Sequence, residues 1–568
     1  MTKTEKIICS SLSLLTFIGA FLFFRLGYPY HIHYQEQCQL FQFTAEYFAS
    51  VAGVPGGLAD YISRFLVQFF YYADAGAFVL AALILAVWLL VFFILPKRTL
   101  VSFAASMLPA LSIFVFLLDE NALLGPVVSL VISLMFSLLV GKIRSGRYQF
   151  FIALLLIPVL YMICGPVAVV FALLSVRKEY LWANLIILAF ALACPFLFYI
   201  KGNYPLSRLF TGVHYYRYHN VISLWQWLSV LSVVVIHALS FVRLPQIGKK
   251  SVSIVALTIF LTIGAAAMYA CVNVADYKKE EMMAYDFMAR YRMWNKILAM
   301  ASKKNPDNPT TVSCLNLALA KSGKMADQMF DYFQNGPDGL FPAFQKECFS
   351  PVPTSEIYWH LGMTNACQRY VFEAQEAIPD FQKSGRLYCR LAETNHINGD
   401  TGVCEKYLKA LDNTLFYSGW ARGFRANADK FPDYQALKSF RKTSEDYLIS
   451  ESEMYSMLGL LYLQDKENDM AYDYLMAYTL LIKRLDLFMD CLKLKDFRIV
   501  PKHYQEAAIL FLYEKQVSQD EIPPFIDPQI IRRFLSFVGD YSANMSMQQL
   551  EAKYSGTYWL YYYFRYKT

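Results

Sequence analysis

Polar and apolar residues are distributed differently in the two halves of this 568-residue chain. Up to about residue 274, long apolar runs alternate with short polar loops, whereas the remainder mixes polar and apolar residues at helical spacing. An apolar run of about 20 residues can cross the hydrocarbon core of a membrane as a helix. The pattern therefore predicts an all-α protein, with a multi-span membrane domain over residues 1–274 and a soluble helical domain over 275–568.

Eight apolar runs are candidates for membrane spans: residues 7–27, 75–95, 100–118, 122–141, 149–176, 181–200, 222–242 and 252–274. The run 149–176 is too long for one span and is interrupted at Gly165 and Pro166. We expect a helical hairpin there, with its turn buried in protein, because unpaired backbone groups are costly in lipid. The prediction is eight or nine spans, the ninth being the second arm of the hairpin.

Positive residues orient such a protein, because Lys and Arg are retained in cytoplasmic loops. Lys3 and Lys6 precede the first run, and no small-residue cleavage site follows it, which indicates an uncleaved signal anchor with a cytoplasmic amino terminus. Lys97-Arg98 and the group Lys142, Arg144 and Arg147 then fall on the same side. With the hairpin, Arg177-Lys178 also stays cytoplasmic, and residues 275–568 lie outside the cytoplasm.

Charge supports this division of the chain. Residues 1–274 hold 17 Lys and Arg but only eight Asp and Glu, and on this topology six of those acids face outward: Glu36, Glu46, Asp60, Asp74, Asp119 and Glu120. The net charge of +7 comes from short loops between apolar runs and forms no basic stripe. We therefore expect a lipid bilayer as a partner, and no nucleic acid.

The outward loops carry the candidate chemistry. The first loop, 28–74, is the longest and contains a predicted amphipathic helix at 58–72 that would lie flat on the membrane surface. The second is short, and its adjacent carboxylates Asp119 and Glu120 suit a divalent cation such as Mg²⁺ or Mn²⁺. Cations of the first loop and of the third outward loop, residues 201–220, can hold a lipid-linked phosphate. These are Arg64, Arg208, His214, Arg217 and His219.

Residues 275–568 contain helix pairs with a recurrent spacing. Tyr455, Leu458, Gly459, Tyr462, Ala471 and Leu475 resemble the tetratricopeptide pattern W-x2-L-G-x2-Y with a small residue in the second helix, and Tyr358, Leu361, Gly362, Ala374 and Ile378 fit the same frame. Two earlier helices, at 291–300 and 311–333, look like a degenerate unit. The resemblance implies a solenoid whose concave face binds peptide or protein. A simpler interpretation is that these helices only cap and stabilise the membrane domain.

A long acidic first loop with a surface helix, followed by a short acidic second loop, resembles the GT-C superfamily of polyprenyl-phosphate-dependent glycosyltransferases. Several eukaryotic protein O-mannosyltransferases of this kind also carry a tetratricopeptide region. The resemblance implies that Glu36, Glu46 or Asp60 activates the acceptor, and that Asp119 and Glu120 hold a metal or orient the acceptor. The first loop lacks the acidic pair of many members, so the choice of base stays open.

The whole sequence also resembles an uncharacterised multi-pass membrane family of Bacteroidota, through Pro55-Gly56-Gly57-Leu58, residues 316–321 and Thr557-Tyr558-Trp559. This resemblance implies a bacterial source and no function. Together with the topology predicted above, it implies an inner-membrane protein with a periplasmic C-terminal domain.

Two functions are consistent with these patterns. The first is transfer of a sugar or oligosaccharide from a polyprenyl-phosphate carrier to an extracytoplasmic acceptor, which we expect to be a protein. The alternative is a non-catalytic scaffold whose helical repeats recruit cell-envelope proteins. A transporter ranks last, because apart from Arg25 the spans carry almost no charge.

Overall fold

The computed structural model describes residues 1–175, 181–202, 204–217, 223–241, 249–431, 433–440 and 453–564. In these ranges the regular structure is helical throughout, with no β-strand. The expectation of an all-α protein is therefore confirmed for the part of the chain that is described. The chain forms two compact units.

The first unit comprises Met1–Glu280 together with two later segments, Pro379–Gly385 and Ala410–Trp420. It extends six residues beyond the predicted boundary at residue 274 and includes pieces of the C-terminal half. Its α-helices are Lys3–Leu22, Tyr30–Gln37, Ala45–Ala52, Gly57–Val67, Ala73–Ile94, Leu100–Ala105, Met107–Phe116, Gly125–Gly141, Gly146–Cys164, Ala168–Leu174, Leu181–Lys201, Leu206–Thr211, Leu224–Leu239, Lys249–Asn273 and the first part of Tyr277–Arg290.

Five of these helical stretches are long and apolar enough to cross a membrane: Lys3–Gly27, Ala73–Ile94, Gly146–Leu174, Trp182–Ile200 and Ser251–Asn273. Three further apolar stretches are shorter, namely Leu100–Phe116, Gly125–Gly141 and Leu224–Leu239. The eight apolar runs of the sequence thus all form helices. Leu100–Phe116 is divided at Ser106, where one helix ends and the next begins.

The helix Ala73–Ile94 lies at the centre of the first unit's apolar core. Its residues Ala77, Leu80, Val87 and Trp88 have no exposed surface. The indole nitrogen of Trp88 donates to the Phe103 carbonyl oxygen at 2.9 Å, so the one polar group of this side chain is paired. The helix packs against Lys3–Leu22, Met107–Phe116 and Gly125–Gly141.

The apolar run 149–176 is broken at Gly165, as the sequence predicts. Helix Gly146–Cys164 ends there, a short 3-10 turn follows, and Ala168–Leu174 packs against Gly146–Cys164 and against Gly125–Gly141. Gly165 has a φ of +53°, a backbone conformation that L side chains rarely adopt.

The backbone freed by this break is satisfied by protein groups. Pro166 has no N–H to donate to the Met162 carbonyl oxygen, and that oxygen accepts from the Gly56 backbone N–H at 2.9 Å. The Tyr215 hydroxyl donates to the Cys164 carbonyl oxygen. Cys164 and Gly165 are buried. The turn therefore meets the expected condition of being enclosed in protein.

The second unit comprises Glu281–Ile378, Arg386–Lys409 and Ala421–Thr568. It consists of the remainder of Tyr277–Arg290 and the helices Trp294–Lys303, Pro309–Lys321, Met325–Gln328, Pro351–Leu361, Thr364–Ala377, Gly385–Asn398, Thr401–Asp412, Ser418–Asn427, Tyr434–Phe440, Met454–Gln464, Asp469–Leu481, Leu485–Leu492, Lys502–Glu514, Pro528–Ser542, Met547–Tyr554 and Tyr558–Phe564. Neighbouring helices pack as pairs, including Pro351–Leu361 with Thr364–Ala377 and Met454–Gln464 with Asp469–Leu481.

The repeat pattern predicts that Gly362 and Gly459 lie where two antiparallel helices touch, because a small residue allows close contact there, but neither glycine has this role. Gly362 has a φ of +86° and ends the helix Pro351–Leu361 instead of lying within it. A Cβ on Gly459 would meet no atom within 4 Å, so this residue is not needed for close helix contact. The predicted helix 311–333 is also interrupted, because Gly323 (φ +64°) follows the end of Pro309–Lys321. All eleven cysteines are free thiols.

Candidate functional site

A cavity of about 470 Å³ lies in the first unit where the second and third of the loops predicted to face outward meet. Its polar lining comes from four parts of the chain: the second loop, the third loop, the start of Leu224–Leu239 and the segment after Lys249–Asn273. The lining residues are Val115, Phe116, Leu118–Leu123, Tyr215–Arg217, Ser223, Trp225, Gln226, Val274, Asp276 and Lys279. Asp119, Glu120 and Arg217, three of the residues selected from the sequence, therefore share one cavity.

The two adjacent acids of the second loop differ in environment. Asp119 is exposed, and its carboxylate accepts from the Asn121 backbone N–H at 2.8 Å. The Glu120 side chain is only 13% exposed, and its carboxylate accepts from the Lys279 ammonium at 2.6 Å. Asp119 is thus oriented but accessible from the cavity, whereas Glu120 is engaged in an ion pair.

Two cations lie in the cavity wall. Arg217 is 5% exposed and donates to the neutral side-chain oxygen of Asn121 at 3.2 Å. Lys279 is more exposed and also lies 3.9 Å from the Asp276 carboxylate. Burial alone would lower the pKa of Lys279, but the Glu120 carboxylate raises it, so this side chain remains an ammonium near neutral pH.

The first loop holds the cavity's second loop in place. The Tyr28 hydroxyl donates to the Leu118 carbonyl oxygen at 3.2 Å and accepts from the Asp276 backbone N–H at 3.2 Å. The Gln35 side-chain amide donates to the Asp119 carbonyl oxygen at 3.3 Å. Helix Tyr30–Gln37 therefore positions the acidic loop without lining the cavity itself.

The residues present do not fit a divalent cation. Within the described residues, no group of three or more His, Cys, Asp or Glu side chains is close enough to hold a metal ion. The Lys279 ammonium lies 2.6 Å from Glu120, where it supplies the positive charge that a metal would supply. Lys279 therefore occupies the position beside Glu120 that a metal ion would need.

Asp60 and Arg64 form a separate buried cluster. They lie on helix Gly57–Val67, where their side chains are 5% and 9% exposed and pair at 2.7 Å, and Arg64 also donates to Gln382 at 3.0 Å. Burial would lower the pKa of Arg64, but Asp60 and Tyr47 beside it raise it. The charged face of this helix points into the protein while Ile62 is exposed, so its amphipathic pattern does not reflect a charged face in water.

The remaining first-loop acids lie apart from the cavity lining. Glu36 is buried, and both of its carboxylate oxygens accept from the Tyr417 hydroxyl, at 2.9 and 3.0 Å. Glu46 is exposed in the first turn of Ala45–Ala52. Asp74 pairs with Arg25 at the surface. The structure thus separates Glu36, Glu46 and Asp60 from the second-loop acids.

The third-loop residues are likewise divided between the cavity and the Asp60 cluster. Arg208 stacks over the ring of Tyr216, a cavity residue, at 6.0 Å. Burial lowers the pKa of His214, although the nearby Asp60 carboxylate opposes this, so the ring is neutral near pH 7 and gives a phosphate no charge. His219 lies outside the described residues.

Sequence patterns did not single out Lys279, Asp276, Trp225 or Gln226. Gln226 is 4% exposed and Trp225 is partly exposed at the cavity mouth. The available signal is positional, because Trp225 and Gln226 lie near the start of one predicted span and Asp276 and Lys279 lie just after another. Asp276 and Lys279 follow the last predicted span directly, and both line the same cavity as the acidic second loop.

One protein family matches nearly the whole chain. Its description is "Family of unknown function (DUF6057)", and the match extends over residues 4–565. The chain belongs to the DUF6057 family. No curated protein and no solved structure matches the chain. Because the match includes residues of both compact units, the DUF6057 family combines the apolar helical part and the C-terminal helical part.

In this DUF6057 protein, a buried acid next to Lys279 connects the cavity to helix Tyr30–Gln37. Glu280 is 6% exposed, and its carboxylate accepts from the backbone N–H groups of Tyr30 and His31 at 2.6 and 3.0 Å. Burial raises the pKa of Glu280 from 4.5 to about 7, although the two N–H donors act to lower it. Glu280 thus caps the first turn of this helix.

The raised pKa of Glu280 predicts a pH-dependent stability. Between pH 4.5 and 7 the folded protein holds a proton on Glu280 that the unfolded chain releases. Holding this proton stabilises the folded protein. The stabilisation is fully present below pH 4.5, is lost as pH rises through 7, and amounts to at most about 3 kcal/mol. We expect the Tm of the wild type in detergent, relative to that of Glu280→Gln, to fall between pH 5 and 8.

His31, beside Glu280, has the opposite effect on stability. Burial lowers the pKa of His31 from 6.5 to about 4, so the folded protein gains stability from this residue as pH rises. Scanning fluorimetry at each pH gives the difference in Tm between the wild type and Glu280→Gln. This difference reports on Glu280 alone, because both proteins contain His31. Parallel Tm curves from pH 5 to 8 would show that Glu280 does not titrate in this window.

Proposed function

We propose that this protein is a GT-C-like membrane glycosyltransferase. It transfers a sugar or oligosaccharide from a polyprenyl-phosphate carrier to an extracytoplasmic acceptor, which we expect to be a protein. The observation that supports this function is one cavity that combines an accessible carboxylate, Asp119, with a buried guanidinium, Arg217, beside apolar helices. A carboxylate can activate an acceptor hydroxyl, and a guanidinium binds phosphate.

The proposed topology has eight or nine spans in a bacterial inner membrane, with a cytoplasmic amino terminus. Contacts within the first unit support a shared side for the outward loops. Arg25 at the end of the first apolar helix pairs with Asp74 at the start of the next, and Tyr28 connects Leu118 to Asp276.

The segment Ala410–Trp420 belongs to the same unit and reaches Glu36 through Tyr417. We therefore place the C-terminal half on the same side as the outward loops, which is the periplasm.

The donor would enter from the lipid with its phosphate at Arg217. Helices Met107–Phe116 and Leu224–Leu239 pack together and contribute Val115, Phe116 and Trp225 to the cavity. Apolar helices beside a polar cavity suit a molecule with a hydrocarbon tail and a charged head. Lys279, in an ion pair with Glu120, adds a second positive group near the phosphate.

Direct displacement would complete the reaction. Asp119 accepts the proton of the acceptor hydroxyl, and the acceptor oxygen bonds to the anomeric carbon. The bond from that carbon to the phosphate oxygen breaks, and its electron pair leaves with the polyprenyl phosphate. Arg217 and Lys279 stabilise the negative charge that develops on this leaving group.

The helix pairs of the second unit would present the acceptor. A stack of tetratricopeptide-like pairs offers a long surface suited to an extended peptide. Pro351–Leu361 with Thr364–Ala377 and Met454–Gln464 with Asp469–Leu481 are the pairs that fit this role best.

Donor binding can be tested by photo-cross-linking. Purified protein in nanodiscs would be irradiated with a diazirine-bearing polyprenyl phosphate, and labelled peptides would be identified by mass spectrometry. We expect labelling within residues 107–123 and 215–226, reduced about tenfold or more in Arg217→Gln, because a charged hydrogen bond to phosphate is lost.

Arg25→Gln is the matched control, since Arg25 is an outward arginine that pairs with Asp74 away from the cavity. It should label like the wild type. Labelling that is insensitive to Arg217 would contradict the proposed phosphate site.

A non-catalytic scaffold remains the second candidate, and one observation favours it. Two candidates from the first loop, Glu36 and Arg64, bind Tyr417 and Gln382 of the later segments, so they serve the packing of this unit. A scaffold predicts that a cell-envelope protein binds and that no cavity variant changes this binding. Specific labelling of the cavity by the lipid probe would count against a purely scaffolding role.

A further inference from the structure

A second cavity, of about 300 Å³, lies at the other end of the apolar helices. It is lined by the first turn of Gly146–Cys164, by Ser175 and by part of Leu181–Lys201, with the residues Gly146, Arg147, Gln149, Phe150, Phe151, Ser175, Ala183, Asn184 and Ile187. The first cavity includes Ala122 and Leu123, just before helix Gly125–Gly141, whereas this one begins at Gly146, just after that helix. Seventeen helical residues separate the two sites by about 25 Å.

A buried acceptor in this cavity has no donor. Gln149 is 6% exposed, and its side-chain oxygen makes no hydrogen bond within the described part of the chain. Buried polar atoms in proteins almost always have a partner, and an acceptor left alone is costly. Gln149 therefore indicates a ligand that carries an N–H or O–H group.

The same turn attracts an anion. Helix Gly146–Cys164 begins after Ser145, and no side chain caps its first turn, so its free N–H groups point toward the end of the helix. Arg147 in that turn is exposed, and it forms no ion pair within the described residues. A phosphate would meet the backbone N–H groups and the guanidinium together.

The rest of the cavity wall is apolar. Phe150 is half-buried, Phe151 is 64% exposed, and Ile187 of Leu181–Lys201 is buried and also lines the cavity. A ligand here needs an anionic group and a hydrogen-bond donor at one end and hydrocarbon at the other. Membrane phospholipids have this arrangement.

We propose that this cavity binds phosphatidylethanolamine. The phosphate lies at the first turn of Gly146–Cys164 beside Arg147, and the ammonium donates to the side-chain oxygen of Gln149. The acyl chains follow Phe150 and Phe151. An ammonium matches Gln149 because it carries three N–H donors, whereas the choline of phosphatidylcholine carries none.

Lipid binding to the full-length protein in detergent, measured by native mass spectrometry, tests this site. Dioleoyl phosphatidylethanolamine, phosphatidylcholine and phosphatidylglycerol would be titrated separately, so that only the head group differs. We expect the wild type to bind phosphatidylethanolamine about tenfold more tightly than phosphatidylcholine, which corresponds to one net hydrogen bond. Equal binding of these two lipids, or tighter binding of phosphatidylglycerol, would overturn the proposal.

Two variants locate the binding. Gln149→Met should bring phosphatidylethanolamine and phosphatidylcholine to within about twofold of each other, because the acceptor is removed at similar volume. Arg147→Gln, at an exposed position that tolerates substitution, should weaken the binding of both lipids. Arg98→Gln is the control, because Arg98 lies outside this cavity and donates to the Phe93 carbonyl oxygen. This variant should bind both lipids like the wild type. A preference for phosphatidylethanolamine that survives both Gln149→Met and Arg147→Gln excludes this cavity.

Discussion

Replacing Asp119 with asparagine should slow sugar transfer by a factor on the order of 10²–10⁴, the usual contribution of a general base. Asp119 is an exposed carboxylate of the cavity, and the Asn121 N–H donates to it at 2.8 Å and orients it. Asparagine keeps the shape of the side chain but cannot accept a proton. The rate should therefore fall with little change in donor binding.

Release of polyprenyl phosphate from a radiolabelled lipid-linked sugar, measured in proteoliposomes, provides the rate. Asp74→Asn is the matched control, because Asp74 is a first-loop acid in a surface pair with Arg25, so this variant should retain the wild-type rate. Glu36→Gln should also retain most activity, since glutamine still accepts from Tyr417. A full rate in Asp119→Asn would remove this residue from the mechanism.

Replacing Arg386 with methionine should destabilise the second unit by about 3–5 kcal/mol, as expected when one partner of a buried ion pair is removed. Arg386 donates to both Asp286 carboxylate oxygens, at 2.6 and 3.0 Å, and to Glu356 at 3.2 Å. All three side chains are at most 6% exposed. The variant would leave the Asp286 charge buried without this guanidinium.

Glu356 is less affected, because Arg390 also donates to it at 2.6 Å. Burial would raise the pKa of Glu356, but Arg390 and Arg386 lower it to about 2. The loss should therefore centre on Asp286. The double variant Asp286→Leu with Arg386→Met should recover part of the stability, since it removes both charges.

Hydrogen exchange on the full-length protein measures this effect locally, because a chain with two compact units need not unfold in one step. Amides of Tyr277–Arg290 and Pro351–Leu361 should exchange about 10² times faster or more in Arg386→Met. Arg425→Met is the control, since Arg425 pairs with Glu405 at the surface and should cost less than about 1 kcal/mol. Similar exchange in both variants would show that the buried network contributes little.

The apolar pattern predicted the helices of the first unit well because burial and backbone hydrogen bonding leave few alternatives for such segments. The break at Gly165 followed from the same argument. The pattern could not predict which groups pair the freed backbone, since Gly56 and Tyr215 are distant in sequence. Nor did it predict the division at Ser106.

The repeat pattern was less informative in the second unit. Helix pairs form where it placed them, but a glycine in sequence can serve close helix packing or a helix end. Gly362 serves the latter, with a φ of +86° that only its backbone conformation reveals.

The sequence predicted those residues of the candidate site whose charged side chains lie close together along the chain. Asp119 and Glu120 are adjacent, and Arg217 belongs to a loop rich in basic residues. The partner of Glu36 lies 381 residues away, so no local pattern could distinguish a buried hydrogen-bonded carboxylate from a catalytic one. Lys279 was missed because a lysine just after a span looks like the solvated end of any membrane helix.

The most direct test of the proposed function is a cryo-EM structure of the Asp119→Asn variant in nanodiscs with a polyprenyl-phosphate-linked sugar. We predict density for the phosphate within hydrogen-bonding distance of Arg217, with the sugar facing residue 119 and the tail along Met107–Phe116 and Leu224–Leu239. A donor bound elsewhere in the protein, with this cavity filled only by solvent, would contradict it.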